Sequence, residues 1–430
     1  PGHSSDAIFT SFSQTPPHLF PMIYSDGTVA AHPGGKGSVF RVNPYNLIRE
    51  SGYSKIYETK IQADFEIRQD LSFLTKGLRA SIKVGFDNET IKALGRGRTP
   101  AQFYAKDRDE DGLLVFDQIV EEVPFGTLSG SFTREYRNIY SEVKLQYDRT
   151  FADVHSVGGY FLYNRSDNQG NKNNYNDVLP FRKESVVGKG SYVYDRRYSL
   201  DLTFAVTGSE QFAKGNRYGF FPAAGFAWNF AEEAFFPWKE YVPEFKVRAS
   251  IGLTGNDRIS SSRFLFKETW TEAAGGYYSG WVEGGSKNIG APSGVLYEGR
   301  IAAPKLKWEE ELKRNIGVDL SLLKGQLSIN LDYFNNKRED ILLRRNTVSS
   351  VTGFRQNPFQ NFGQVKNQGF EVSLKGESKF GDVRLSYLGN FTYTKNKIIE
   401  RDEVLQPYDY MNQTGKELNT FSVLQAERLY

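Results

Sequence analysis

The sequence contains no cysteine and only four histidines. The lack of cysteine excludes a disulfide framework, a thiolate metal site and a cysteine nucleophile. His3, His18, His32 and His155 are scattered, without the spacing of metal ligands. The motifs Gly-x-Ser-x-Gly, His-Glu-x-x-His and Gly-x4-Gly-Lys-Ser/Thr do not occur either. We therefore expect a protein that is not an enzyme and that requires no cofactor.

Long apolar runs and a large net charge are also missing. No run approaches the ~18 apolar residues of a membrane-spanning helix. The net charge is only +3, from 54 basic and 51 acidic residues, so a nucleic-acid partner is not expected. Aromatic residues nevertheless make up 15% of the chain, and glycine occurs 41 times. This composition is compatible with a transmembrane β-barrel, whose strands are only half apolar.

Apolar and polar residues alternate with a period of two in about twelve segments, which predicts strands with one apolar face. The clearest pair is NIGVDLSLLKGQLSINLDYF (315–334), a hairpin that turns at Lys324-Gly325. The alternation alone leaves open whether the apolar face meets a protein core or lipid. The predicted strands are 61–71, 78–87, 137–151, 156–164, 186–195, 198–206, 222–230 and 246–255, the two strands of the 315–334 hairpin, 370–377 and 382–396.

The connections between these strands alternate in length. Tight turns close five of the six pairings, whereas 231–245 is longer and is expected to contain a helical turn. Tight turns at one end and long loops at the other are typical of an outer-membrane barrel, in which the turns are periplasmic and the loops extracellular. A soluble sandwich more often has similar loops at both ends. The predicted extracellular loops are about 1–58, 88–135, 165–185, 207–221, 255–312 and 336–367.

The second face of each predicted strand is charged or amide-bearing. Four such groups per strand would carry a large desolvation cost in a dry core, but a wide, water-filled lumen solvates them. In the first and third predicted strands these residues are Gln62, Asp64, Glu66 and Arg68, and Glu142, Lys144, Gln146 and Asp148.

The segment 192–236 resembles a signature of the SusC/RagA family of TonB-dependent outer-membrane transporters. The shared pattern is Tyr-x-Tyr and Arg-Tyr, a Gly-Ser-x-x-Phe loop, Asn-Arg-x-Gly-x-Phe-Pro, and an aromatic strand ending in Glu-x-Phe. Thr207 stands where the family often has Asp. Four further segments, 43–53, 247–257, 304–320 and 361–374, are similar to the family in the same order. The matching signature residues are Tyr192, Tyr194, Arg197, Tyr198, Gly208, Ser209, Phe212, Asn216, Arg217, Gly219, Phe221, Pro222, Trp228, Glu233 and Phe235.

The resemblance implies an all-β fold, the middle part of an antiparallel transmembrane β-barrel with about 22 strands. It places the protein in the outer membrane of a Bacteroidetes-like cell envelope. The family's plug domain and closing strands have no counterpart in residues 1–430, so we expect the chain to be a piece of a longer polypeptide. Asp319, Asn330 and Asp332 would then face the lumen. The lipid-facing residues of the hairpin would be Ile316, Val318, Leu320, Leu322, Leu327, Ile329 and Leu331.

The resemblance also implies import of a large nutrient, an oligosaccharide or a peptide, in a SusCD-type complex. The partners would be outer-membrane lipid, a SusD-like surface lipoprotein that caps the loops, and TonB, which acts through the plug. Two alternatives share the strand pattern: a passive or structural barrel in a larger assembly, and a soluble β-rich carbohydrate-binding protein.

Two loop motifs are candidate sites. DRDEDG places Asp107, Asp109 and Asp111 before Gly112, as at the start of a calcium loop, because Ca²⁺ prefers several oxygens within one turn. The twelfth position, however, is Gln118 and not a bidentate Glu, so an acidic extracellular loop is the alternative reading.

The second motif, TWTEAAGGYYSGW, carries aromatic rings that can stack on sugars or on a protein partner, or pack within the loop. Its rings belong to Trp270, Tyr277, Tyr278 and Trp281. Three more aromatic residues, Tyr333, Phe391 and Tyr393, are expected at strand ends, in the interfacial aromatic girdle of a barrel.

Overall fold

The computed structural model describes residues 5–15, 21–31, 43–170, 179–258, 262–272, 296–420 and 423. Within these ranges the chain is almost entirely β-structure, with one α-helix, α1 (Ser5–Gln14). Short π or 3-10 turns occur at Asn46–Glu50, Phe230–Glu232, Leu323–Gly325, Ser350–Thr352 and Asp409–Met411. The strands are β1 (Gly52–Asp70), β2 (Leu78–Gly97), β3 (Gln102–Arg108), β4 (Leu114–Val120), β5 (Ser129–Phe151), β6 (His155–Gly170), β7 (Phe181–Tyr194), β8 (Tyr198–Ser209), β9 (Tyr218–Asn229), β10 (Glu244–Asn256), β11 (Thr269–Glu272), β12 (Leu296–Arg300), β13 (Glu309–Leu322), β14 (Leu327–Arg344), β15 (Phe359–Phe380) and β16 (Val383–Glu400).

Twelve of these strands form one sheet in the order β1-β2-β5-β6-β7-β8-β9-β10-β13-β14-β15-β16. Sequential neighbours pair, and the order skips only β3-β4 and β11-β12, which form separate two-stranded ribbons within long connections. The prediction of an antiparallel all-β chain with about twelve main strands is confirmed, whereas the two ribbons and α1 were not predicted. No helix in the described ranges is both long enough and apolar enough to cross a membrane.

The tight turns join the strands as expected. In three of them two consecutive non-glycine residues adopt positive φ: Ala152-Asp153, Asp195-Arg196 and Leu323-Lys324. Such pairs of left-handed residues match the right-handed twist of the flanking strands, which is why two-residue hairpin turns use them. The expected helical turn in the longer 231–245 connection is also present, as the 3-10 turn Phe230–Glu232.

The strands continue further toward the long loops than the sequence suggested. The predicted loop 336–367 shrinks to 345–358, because β14 runs to Arg344 and β15 starts at Phe359. The other predicted loops shorten in the same way; 88–135, for example, contains the end of β2 and the beginning of β5. The alternation of apolar and polar residues fades where both faces become polar, but the backbone hydrogen bonds of the ladder continue. The predicted strands were therefore too short at the ends that face the long loops.

The aromatic residues expected at strand ends lie inside strands for the same reason. Tyr333 lies within β14, and Phe391 and Tyr393 lie near the middle of β16. They were wrongly expected at strand ends, because the strands extend well beyond the segment that alternates clearly, and their place in an interfacial girdle stays a prediction.

The chain divides into two compact units. The first unit comprises residues 1–63, 86–138 and 169–173, and the second comprises residues 64–85, 139–168 and 174–430. In the first unit, the ribbon β3-β4 packs on the segment around Tyr24, whose ring centroid is 5.0 Å from that of Phe116. Asn43, fully buried, donates its amide hydrogens to Met22 O at 2.7 Å and Ala30 O at 2.8 Å. The side chain of Asn43 thus fixes this segment by bonding two of its backbone carbonyls.

Candidate functional site

In the second unit the register aligns apolar side chains into rows across β9, β10, β13, β14, β15 and β16. Ile316 in one such row is 58% exposed, and Leu331 in the next is 42% exposed. An apolar face of this extent needs an apolar surrounding. The two rows are Phe226, Ala249, Ile316, Tyr333, Phe370 and Tyr393, and Trp228, Val247, Val318, Leu331, Val372 and Phe391. We call this side of the sheet the apolar face.

The residues between these rows point to the opposite side, the polar face, because successive side chains of a strand alternate. Asp319, Asn330 and Asp332 of the 315–334 hairpin all lie there, which confirms the predicted segregation of the two faces. Two rows of the polar face are Ala227, Arg248, Gly317, Asp332, Glu371 and Thr392, and Asn229, Lys246, Asp319, Asn330, Ser373 and Asn390.

Arg248 forms the centre of an ion network on the polar face. Its Nε lies 3.1 Å from Asp319 Oδ1, and its Nη2 lies 2.6 Å from Asp332 Oδ2. Asp319, only 9% exposed, also accepts a hydrogen bond of 2.9 Å from Asn330 Nδ2 and lies 3.6 Å from Lys246 Nζ. Each carboxylate is therefore paired, which is the condition for keeping charges partly away from water.

The absence of a side chain at Gly317 leaves room for the guanidinium of Arg248 in this network. Arg248 on β10 is opposite Gly317 on β13, and Gly317 is opposite Asp332 on β14. The guanidinium thus crosses a complete strand to reach its second carboxylate. A Cβ at Gly317 would lie 2.6 Å from Arg248 Cζ, so any larger residue would push the guanidinium away. Sequence patterns predicted the acidic residues of this network but missed Arg248 and Gly317, because the contact depends on register.

At the long-loop end of the sheet, separated motifs meet in one cluster, the rim core. Phe212 is fully buried, and its ring centroid lies 5.2 Å from that of Trp308. Phe221 packs edge-on against the same indole at 5.3 Å. The buried members of the rim core are Phe212, Leu265, Ala303, Leu306, Trp308 and Leu342. Phe212, Phe221 and Trp308 belong to segments that resemble the family, and their mutual packing gives these motifs a role in stabilising the loops.

Hydrogen bonds fix the backbone around the rim core. Trp308 Nε1 donates to Arg217 O at 3.0 Å, and Asn216 Nδ2 donates to Leu306 O at 3.2 Å. Asn361 Nδ2 donates to Lys307 O at 3.0 Å, and Asn361 Oδ1 accepts from Lys307 N at 3.0 Å. The side chains of Asn216 and Asn361 therefore hold backbone groups of the loop that ends at Trp308.

Two acidic side chains are buried beside the rim core. Asp257, 3% exposed, accepts from Ser209 Oγ at 2.8 Å and lies 2.5 Å from Lys183 Nζ. Glu309, 6% exposed, accepts from Leu342 N at 3.0 Å and from Asn256 Nδ2 at 2.9 Å. Both carboxylates are fully engaged in holding neighbouring strand ends, which gives them a structural role.

A third buried acid links the β14-β15 loop to the segment after β16. Asp402, 4% exposed, accepts from Thr347 N at 3.1 Å and Thr347 Oγ1 at 2.8 Å, and also from Asn346 N. Arg345 Nε lies 3.1 Å from its Oδ2. Burial raises the pKa of Asp402, but the hydrogen bonds from Thr347, Arg345 and Asn346 lower it by more. The pKa of Asp402 is therefore lowered to about 2. The carboxylate thus remains charged and holds the loop at any physiological pH.

The candidate calcium loop is the turn between β3 and β4. Asp109 Oδ1 accepts from Asp111 N at 3.0 Å and from Leu113 N at 2.8 Å, so it caps the turn. Asp107 Oδ1 accepts from Arg108 N at 2.8 Å. Across the described ranges, no group of three His, Asp or Glu side chains is arranged to hold a metal. Turn formation accounts for Asp109, and calcium binding at Asp107, Asp109 and Asp111 stays a prediction.

The aromatic loop motif is described only in part. Trp270 lies in β11, is 59% exposed and donates from Nε1 to Glu268 Oε1 at 3.3 Å. Tyr277, Tyr278 and Trp281 lie outside the described residues. An exposed indole remains available for contact, and its role as a substrate or partner residue stays a prediction.

Comparison with known proteins places this geometry in a family. The family model described as "TonB dependent receptor-like, beta-barrel" matches residues 4–426. TonB-dependent receptor P3 of Formosa agariphila is 30% identical over 302 residues, which is 64% of this chain and 29% of that protein. TonB-dependent receptor SusC of Bacteroides thetaiotaomicron is 28% identical over 222 residues, 50% of this chain and 20% of that protein. The chain thus spans less than a third of the length of these curated relatives.

The fold is similar to a solved structure as well. The RagAB peptide importer in its closed-closed state aligns with a TM-score of 0.63 at 16% identity, covering 91% of this chain and 42% of that one. At this identity the likeness concerns the fold alone, and it agrees with an open sheet that is part of a larger barrel. The resemblance to SusC/RagA proteins is confirmed, and the family consists of transport proteins and not enzymes. The chain belongs to the TonB-dependent receptor-like β-barrel family and is part of an outer-membrane β-barrel.

Proposed function

We propose that the complete protein imports a large nutrient, an oligosaccharide or a peptide, across the outer membrane as the SusC-like barrel of a SusCD-type complex. One observation carries the proposal: the register gives the sheet an apolar face and, on the other side, a polar face with the Arg248 network. The apolar face suits contact with lipid, and the polar face suits a hydrated lumen. In this proposal the tight turns are periplasmic and the long loops are extracellular.

The rim core supports the proposed contact with a SusD-like lipoprotein. It packs loop segments from two connections and the end of β14 around Phe212 and Trp308, at the end of the sheet where such a lid would sit. A prearranged surface lowers the ordering cost of binding a partner. TonB would supply energy through the plug domain. The RagAB structure is that of a peptide importer, and the resemblance to SusC/RagA proteins implies an oligosaccharide or a peptide, so the proposal keeps both substrate classes.

The test is growth of a strain that lacks the complete gene on single oligosaccharides or peptide mixtures. We expect a defect on one class, restored by the wild-type gene, and lost uptake when TonB is disrupted. Uptake that survives without TonB would favour the passive barrel. A complete protein that stays soluble and folded without detergent would overturn the assignment. Co-purification with a surface lipoprotein tests the lid separately.

A further inference from the structure

Toward the long-loop end, the apolar face changes from apolar to basic within two rows. The row after Ile316, Tyr333, Phe370 and Tyr393 contains Arg314, Asn335, Gln368 and Lys395. The row after that contains Leu312, Lys337, Lys366 and Lys397. All these positions lie two or four residues from the aromatic row, so they share its side of the sheet. We call Arg314, Lys337, Lys366, Lys395 and Lys397 the basic belt.

The register of the belt is unfavourable for an isolated protein. Lys337 is opposite Lys366, and Lys366 is opposite Lys397, so three ammonium groups stand on adjacent strands. Like charges directly opposite each other destabilise a sheet. The arrangement therefore points to an external anion that offsets the repulsion.

The charged partners of the belt differ from those of the polar face. Lys337 has a partner, Glu339, with Nζ 2.5 Å from Oε1. The other four cations form no ion pair with any of the described residues. On the polar face, by contrast, Arg248 holds two carboxylates. The Arg248 network thus pairs its cations, whereas most of the belt is open.

The depth of the belt matches the boundary of a membrane. Tyr333, Phe370 and Tyr393, between 44% and 52% exposed, end the apolar rows on these strands, as interfacial aromatic residues do. Two and four residues further along a strand correspond to about 7 and 13 Å. For strands tilted by about 40°, this is roughly 5 to 10 Å above the aromatic row, at headgroup level.

We propose that the basic belt binds the phosphate groups of an anionic lipid in the outer leaflet. Arg314 can engage a phosphate with two parallel hydrogen bonds, while the lysines supply point charges along the same boundary. The site would fix the barrel to its lipid surroundings and is separate from the lumen. It rests on the outer-membrane location and on extracellular long loops, but not on the identity of the imported nutrient.

The test uses the complete receptor, purified in detergent and incubated with vesicles that contain phosphorylated or dephosphorylated lipid A. The variant combines Lys366→Gln, Lys395→Gln and Lys397→Gln. The control combines Lys214→Gln, Lys305→Gln and Lys375→Gln, which remove three exposed lysines outside the belt. We expect wild type and control to prefer phosphorylated lipid. The belt variant should lose affinity for it on the order of 100-fold, because each lysine near an anionic surface raises the binding constant about fivefold and three are removed.

Equal binding of both lipids by the wild type, or unchanged binding by the belt variant, would overturn the proposal. If inorganic phosphate displaces the lipid at equal phosphate concentration, the site binds a free anion and the lipid assignment is wrong. Should the belt variant fail to fold, the salt dependence of wild-type binding replaces it. Binding must weaken with added salt, because exposed charges are screened, and binding that ignores salt contradicts the proposal. Nutrient uptake by the belt variant should stay unchanged, which separates this test from the test of import.

Discussion

A charge placed on the apolar face should cost far more stability than the same charge placed one residue further along on the polar face. Leu320 shares a row with Phe245 on β10 and Ile329 on β14, and apolar rows lie on both sides of it. It is thus inside the apolar band and not at its border. Leu320→Arg is expected to destabilise the complete barrel in lipid by about 2–4 kcal/mol, the cost of arginine near the midplane.

Ser321→Arg is the matched control, since it adds the same group on the same strand at nearly the same depth. Ser321 lies on the polar face, opposite Glu244 and Ser328. A cross-strand pair with Glu244 contributes roughly 0.2–1 kcal/mol, so this variant should be neutral or slightly more stable than wild type. Urea titration of the barrel folded into vesicles, followed by heat-dependent gel mobility, measures both free energies of unfolding. Equal costs for the two variants would refute the assignment of the faces.

Three further predictions concern individual side chains. Asp319→Ala should cost about 2 kcal/mol, because it leaves the partly covered Arg248 with one carboxylate, and a urea midpoint shared with wild type would contradict this. Asp402, whose pKa is lowered to about 2, contributes stability that is complete above pH ~3.8 and is lost as the pH falls toward 2. The protection factor of the Thr347 amide against hydrogen exchange, corrected for the intrinsic rate at each pH, should fall over that range in wild type and be low throughout in Asp402→Asn. Calorimetry with Ca²⁺ tests the β3-β4 turn: heat that disappears in Asp109→Asn supports the calcium site, and no heat in wild type dismisses it.

Alternation in the sequence was enough to find the strands of the main sheet. A period of two is a local property, and it survives wherever one side of a strand is apolar, as from Ile316 to Leu322. The sequence also located the turns, since Lys324-Gly325 and the short connections at 152–155 and 195–197 leave no room for anything longer. The resemblance to SusC/RagA proteins then identified the family from spaced aromatic, glycine and asparagine residues, and the family match confirmed it.

Strand ends could not be read in this way. Residues 335–340 of β14 and 366–369 of β15 are polar or glycine on both sides, so no contrast marks the strand there, although the ladder continues to Arg344 and begins at Phe359. The ribbons β3-β4 and β11-β12 were missed because they lie in long connections without clear alternation.

By itself, the sequence determined that this chain forms a two-faced antiparallel sheet with acidic residues on one side. Only the tertiary structure decided which residues meet across it. Register placed Gly317 beneath Arg248 and aligned Lys337, Lys366 and Lys397 on three adjacent strands, and the packing of two long connections brought Phe212 to Trp308. The physical reason is that a one-residue shift of any strand would exchange its two faces, and register is fixed by pairing between strands and not by the composition of any one of them.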